Sequence, residues 1–199
     1  MIQFSDREIA NEQLVLDSKS ELYYLGHDLT LRQCTLVLKV PARALVITQT
    51  RLIDCTIHVN QELKNFRWYK NVLKGCRFTG RLTGNDFGRN PDPHPEGGIE
   101  DCDFSAAQLD GCRFLDCAPN TLRFPAWPCF TLLDTFQRAL ELGAAPWPGD
   151  IGSIVMSDFD QDPPRTVAVT YSATALAKRY GTTPEAIRAT LEKLDGVVF

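Results

Sequence analysis

Between Gly97 and Phe124 the chain reads GGIEDCDFSAAQLDGCRFLDCAPNTLRF, and large apolar residues recur every five positions at Ile99, Phe104, Leu109 and Phe114. A small residue stands two places before each: Gly97, Cys102, Ala107 and Cys112. Cys117 takes the next small slot, and Leu122 and Phe124 keep the spacing with a larger residue. A period of five matches neither a helix at about 3.6 nor a free strand at about 2. It matches a chain that turns a corner every five residues and sends one large and one small side chain inward from each side. Four sides close a square coil of about twenty residues, and coils stacked at strand spacing form a parallel β-solenoid.

A longer period runs ahead of this stretch. Cys34, Cys55 and Cys76 are 21 residues apart, each inside the phrase Leu-x-x-Cys-x-apolar, and a fourth copy at Ile99–Phe104 follows after 26. Two apolar ladders result: Leu16, Leu36, Ile57, Phe78, Phe104, Phe124, and Leu45, Phe66, Phe87. Two ladders in register support stacked coils more strongly than either alone. The five extra residues of the fourth copy fall in GNDFGRNPDPHPEGG, residues 84–98, where Pro and Gly exclude ladder pairing. That segment is expected to leave the solenoid wall as an inserted loop and is a candidate binding element.

The repeats resemble those of the pentapeptide-repeat family, in which a small residue, often Ala or Cys, precedes a central Leu or Phe by two. The strict match covers residues 97–124. The resemblance implies a mainly β fold, a right-handed parallel quadrilateral β-helix, here with C-terminal α-helices. Two regions are expected: 1–129 as the solenoid, with residues 1–15 as N-terminal cover, and 130–199 as a helical cap. Within the cap, 131–142 (TLLDTFQRALEL) reads as a helix stopped by Gly143, 167–171 as a strand, and 173–180 and 184–194 as helices. Gly181 and the Thr183-Pro184 start separate the last two.

Composition narrows the function. The 199 residues carry 21 Lys+Arg and 25 Asp+Glu, a net charge of −4. Residues 1–130 are near neutral, with 15 basic and 16 acidic, and the remainder holds 6 and 9. Such a balance gives no general case for nucleic-acid binding and is too mild for DNA mimicry. No apolar run is long enough to span a bilayer and the N-terminus lacks signal-peptide character, so a cytoplasmic protein is expected. The seven cysteines include no Cys-x-x-Cys pair, and filling small inward slots explains them better than zinc. Buried free thiols also fit a reducing compartment.

Other motifs fall short of chemistry. Asp158-Phe-Asp160-Gln-Asp162 opens like a calcium loop, but Pro163 and Val169 occupy the positions that need Gly and Glu. His27, His58 and His94 have no partner at metal or catalytic spacing, and neither a nucleophile phrase nor a phosphate-binding glycine loop is present. No cofactor and no enzymatic activity are expected. Residues 173–194 have helix-turn-helix spacing, yet the groove-facing set of Thr183, Glu185, Arg188 and Glu192 is a poor reader of DNA.

The strongest surface signal is basic. Between Lys64 and Arg89 stand seven cations against one acid, Asp86, with Trp68 and Tyr69 interleaved. Arg67, Trp68, Lys70, Lys74, Arg77, Arg81 and Arg89, with Asp92 and His94 of the loop, are the candidate partner-binding residues. Arg and Trp are frequent interface anchors, and an acidic protein suits these residues better than nucleic acid. The expectation is a non-enzymatic protein-binding scaffold. The resemblance implies a bacterial immunity protein that neutralises a cognate toxin. Its alternatives are a gyrase-binding DNA mimic and a helix-turn-helix regulator.

Overall fold

Residues 8–16 show how the coil is written. Ile9, Leu14 and Leu16 turn inward, Glu8, Ala10, Gln13 and Val15 face out, and Asn11 turns the corner between them with φ of 58°. The same sentence repeats along the chain. The computed structural model describes residues 1–89 and 97–199, and there the strands come in threes. The first circuit holds β1 (Ile2–Phe4), β2 (Glu8–Ala10) and β3 (Gln13–Leu16). Next come β4 (Tyr23–Leu25), β5 (Leu29–Arg32) and β6 (Thr35–Leu38). These are followed by β7 (Leu45–Ile47), β8 (Thr50–Ile53) and β9 (Thr56–Lys64), then β10 (Val72–Lys74), β11 (Arg77–Thr83) and β12 (Asp86–Gly88). The last set is β13 (Gly98–Glu100), β14 (Asp103–Asp110) and β15 (Cys112–Leu115).

Like strands stack in parallel. The first wall is β1-β4-β7 and resumes as β12-β15, the second is β2-β5-β8-β10-β13, and the third is β3-β6-β9-β11-β14. The long strands β9, β11 and β14 continue round onto a fourth side, so the section is quadrilateral and the fold is a parallel β-solenoid. Corners stack as well: Asn11, Gln33, Asp54, Gly75 and Asp101 form one column between the second and third walls, all at positive φ. Asn, Asp and Gly are the residues that tolerate this conformation best.

The ladders read from sequence largely hold, with two shifts of register. Leu36, Ile57, Phe78 and Phe104 are successive rungs, but the rung below Leu36 is Leu14, and Leu16 lies beside Leu38. Leu45, Phe66 and Phe87 are all buried on the first wall, yet Arg67 pairs with Asp86, which brings Phe87 against Trp68 instead of Phe66. The core is aliphatic in the early circuits and aromatic in the later ones. Phe78 stacks on Phe104 at 4.7 Å and Phe87 on Phe114 at 5.2 Å.

Small inward side chains do more than fill space. Cys34, Cys55, Cys76 and Cys102 donate to the carbonyls of Ile9, Leu31, Leu52 and Leu73 in the preceding rung, at 3.2–3.6 Å. Thr50, Asn71, Asn85 and Cys112 do the same toward Leu25, Ile47, Leu63 and Leu82. Several of the thiols are held above the ordinary range. Hydrogen bonding with Cys102, together with burial, pushes Cys76 up to about 12, and burial above all, with Asp110 and Asp86 nearby, takes Cys112 to about 12. All seven cysteines are free; six are buried and Cys117 is half-buried.

Three expectations are corrected. Residues 1–15, which the sequence leaves open between a short helix and an edge strand, are not a separate cover; they are strands, β1–β3, the first rungs themselves. Residues 84–88 do not leave the wall. Gly84 and Asn85 make a corner and β12 follows, so the insertion is confined between Arg89 and Gly97, and most of it (90–96) lies outside the described residues. A side chain at Gly88, φ 97°, would strike the Leu115 carbonyl oxygen, which is why glycine is needed there.

The third correction concerns the cap. Cys129–Leu133 forms strand β16, and the helix α1 spans only Ala139–Ala144, with Gly143 inside it. β16 is buried on both faces. Phe130 and Leu132 enter a C-terminal core, Thr131 bonds Thr170 at 2.8 Å, and Leu133 packs toward the solenoid. A strand buried on both faces reads as an unbroken apolar run that periodicity cannot tell from a helix. Leu140, within the span expected as a helix, is 91% exposed.

Strand β17 (Thr166–Ser172) lies antiparallel between β15 and β16, and α2 (Ala173–Tyr180), α3 (Pro184–Leu191) and β18 (Val197–Val198) complete the cap. The first wall therefore runs without a break into the C-terminal sheet. Ser172 and Thr183 cap α2 and α3. No helix among the described residues is long and apolar enough to cross a membrane.

Ion pairs staple this seam. Arg113 grips Asp86 with two bonds of 2.8 and 3.1 Å and reaches Asp162 at 2.8 Å, Arg165 meets Asp116 at 3.0 Å, and Arg179 meets Asp110 at 2.9 Å. Burial raises the Asp162 carboxyl above its ordinary value and outweighs the opposing pull of Arg113. A carboxyl raised in the folded state binds a proton more readily than in the unfolded chain. Its ionised form therefore costs stability above the folded pKa, and that cost fades as pH falls through it. Asp162→Asn is expected to melt at or above the wild-type temperature at pH 7, with the two curves converging in acid. A variant that melts several degrees lower at pH 7 would show that the Arg113 contact outweighs desolvation.

Candidate functional site

The basic stretch runs through one circuit of the coil and into the next, Arg67 and Asp86 being stacked on the first wall, and its charges follow the coil round. Arg67 projects from the first wall between two inward side chains, Lys70 stands at the corner with the second wall, and Lys74 lies on the second wall in β10. Arg77 opens β11 on the third wall, Arg81 lies farther along it toward the fourth side, and Arg89 follows β12. All six are exposed. They form a band around the rod and not a single basic wall. A 21-residue period makes cations three or four residues apart occupy different sides. Asp92 and His94 lie outside the described residues.

Trp68 leaves the partner-binding set. It is 0% exposed, its Nε1 donates to Asn85 Oδ1 at 3.1 Å, and its ring stacks on Phe87. The alternation that sends Arg67 out sends Trp68 in. Two of the six cations already have acidic neighbours. Lys74 meets Glu100 at 3.1 Å, a bond that holds its ammonium above the ordinary range, and Arg77 lies 3.8 Å from Asp103. Arg67, Lys70, Arg81 and Arg89 have no carboxylate within salt-bridge distance among the described residues. Arg89 instead donates from Nε to the Gly97 carbonyl at 3.3 Å, which ties the two described ends of the insertion together.

Stacking also gathers residues that sequence reasoning passed over. Arg51 sits directly below Val72, and Gln49 lies beneath Lys70, its N–H donating to the Lys70 carbonyl at 2.9 Å. Arg51 and Lys70 thus share a cleft of about 620 Å³ at the corner of the first two walls, with His27 and Asp28 below them. The signal was present in the sequence, since positions 30, 51 and 72 follow the 21-residue period. A second cleft of about 200 Å³ joins Arg67 and Tyr69 to the Asp86–Arg113 pair. A third, of about 430 Å³, lies between Lys74, Arg89 and Asp116. Cations from the third to the fifth circuits therefore line adjoining depressions beside the insertion.

Other candidates look different in three dimensions. His58 Nδ1 lies 2.8 Å from Thr79 Oγ1 on the third wall, and no acidic side chain among the described residues is bonded to it. Asp162 of the calcium-like phrase is bound to Arg113. Among the described residues, no three His, Cys, Asp or Glu side chains gather as a metal site. Compared with protein-family models and with curated proteins, the chain matches no family model and no curated sequence.

Core and surface roles within the band separate cleanly by stability. Trp68→Ala should cost about 3–5 kcal/mol in urea unfolding, whereas Arg67→Ala and Lys70→Ala should stay within about 0.5 kcal/mol of wild type. Equal losses at Trp68 and Arg67 would contradict this inside–outside assignment.

Proposed function

We propose that the protein is a non-enzymatic binding scaffold that neutralises a cognate toxin by direct contact, as an immunity protein of the pentapeptide-repeat type does. The observation that carries this reading is the band of exposed cations, four of which have no carboxylate within salt-bridge distance among the described residues. Lys70, Arg67 and Arg89 lie around the fourth circuit beside the insertion, on a scaffold whose core is closed. Charges held on a rigid wall lose little freedom on docking, which favours binding. The complementary surface on the partner is acidic. The protein works in the cytoplasm, where its thiols remain reduced.

The helix-turn-helix alternative is weakened by the state of its single groove-facing cation. Arg188 is bonded to Glu192 at 2.9 Å and packs over Trp127 and Phe199 at 5.1 and 5.5 Å, and Thr183 is spent as a helix cap. The DNA-mimic alternative requires an acidic rod, and the later circuits present cations.

Affinity capture from cells that make the protein, with mass spectrometry, is expected to return a protein that arrests growth when expressed alone. Co-expression of this chain should restore growth. A variant combining Arg67→Glu, Lys70→Glu and Arg89→Glu, with an unchanged melting temperature, should fail to restore it. Full protection by that variant would remove the band from the interface, and a captured partner without toxicity would remove the immunity reading.

A further inference from the structure

The cleft between the first and second walls is assembled from three successive rungs. His27, Asp28 and Thr30 come from the β4–β5 corner, Gln49 and Arg51 from the β7–β8 corner, and Lys70 from the corner before β10. Its volume of about 620 Å³ suits a small molecule. Its floor is fixed: Thr50 is 1% exposed and bonds the Leu25 carbonyl, and Asn71 bonds both Thr50 and the Ile47 carbonyl.

Three features distinguish this cleft from an ordinary solvated corner. Arg51 and Lys70 both point to it, and neither has a carboxylate within salt-bridge distance among the described residues, although Asp28 lies in the same depression. The basic cleft formed by Arg43, Lys64 and Arg81 is different, because its own anion, Glu62, is paired with one of its cations. There Glu62 accepts from Thr83 at 2.8 Å and meets Lys64 at 3.4 Å, contacts that hold its carboxyl below the ordinary range, the Thr83 bond first. Finally, His27 and Asp28 are consecutive residues at positive φ, 48° and 56°, where other corners of the described chain use at most one such residue. Strained non-glycine backbone of this kind collects at ligand clamps.

We propose that this cleft binds a small phosphate ester, its phosphate held between Arg51 and Lys70. The guanidinium fork suits paired phosphate oxygens and the ammonium adds a point charge. Thr30 and Gln49 supply neutral donors at the rim. Asp28, repelled by the phosphate, faces the organic part and accepts from a hydroxyl there. This site does not depend on the toxin-binding reading, since it concerns a small ligand and includes Arg51, which that reading does not use.

The test is a ¹⁵N-resolved NMR titration at fixed ionic strength with inorganic phosphate and, separately, with glycerol 3-phosphate. Saturable shifts are expected at the amides of Thr30, Gln49, Thr50 and Arg51, with the ester binding more tightly. Arg51→Gln with Lys70→Gln should weaken both probes at least tenfold, and Arg43→Gln with Arg81→Gln should leave both unchanged. Asp28→Asn should abolish the advantage of the ester. If the double variant at Arg51 and Lys70 melts early, the single Arg51→Gln variant decides by the same readout. Shifts that fail to saturate, that spread over cations on every wall, or that survive loss of Arg51 and Lys70 would overturn the proposal.

Discussion

The corners of this solenoid depend on short polar side chains turned inward, at eight positions, to reach the carbonyl of the rung before. A parallel stack satisfies the strand backbone between walls, but a chain that bends every five residues also brings carbonyls to face the interior at its corners. A buried carbonyl without a donor costs about 1–3 kcal/mol. Four cysteines serve one corner column, and Thr50 and Asn71 serve another. The slot must be small enough for close packing and must carry a donor. Cys, Thr and Asn meet both demands; alanine, as at Ala107, meets only the first. The cysteines are therefore structural, spent as donors to the carbonyls of the rung before.

A parallel stack must also end. An uncovered rung would offer a template for pairing with other chains. Here β17 lies antiparallel against β15 and stops the repeat, and the C-terminal core packs on its far side. The Arg113, Arg165 and Arg179 pairs tie that sheet to the fifth circuit and hold the cap in register with the wall. The cap is therefore a continuation of the first wall. The surface beside the insertion inherits the rigidity of both parts, which is what a docking surface made of charges requires.

The solenoid was legible because its determinants are periodic. The small–large pairs at 97–114 and the cysteines at 34, 55 and 76 are spaced by the geometry of a square coil, and the structure places them inward. Register was less legible. Leu14 and Leu16 are both leucines two residues apart, so composition alone does not say which continues to Leu36. The strand at Cys129–Leu133 was masked by burial on both faces, which erases the period-two signal. The surface was misread for a related reason. Charges close in sequence separate around the coil, whereas Arg51 and Lys70, 19 residues apart, meet in one cleft. Reading surface residues modulo 21 would have found them. Trp68 follows the same inward alternation as Phe66 and was always the less suitable contact residue.

The most direct test of the corner account is Asn71→Leu, which keeps the volume and removes the donor and acceptor. Asn71 bonds the carbonyls of Ile47 and Trp68 and the N–H of Thr50. The Trp68 carbonyl keeps its bond from the residue 71 N–H, but with the Ile47 carbonyl and the Thr50 N–H left buried and unpaired, unfolding in urea should show a loss of about 3 kcal/mol, and the Thr50 amide should exchange markedly faster with solvent. A leucine variant as stable as wild type, with Thr50 still protected, would contradict the claim that inward polar side chains hold the corners of the stack.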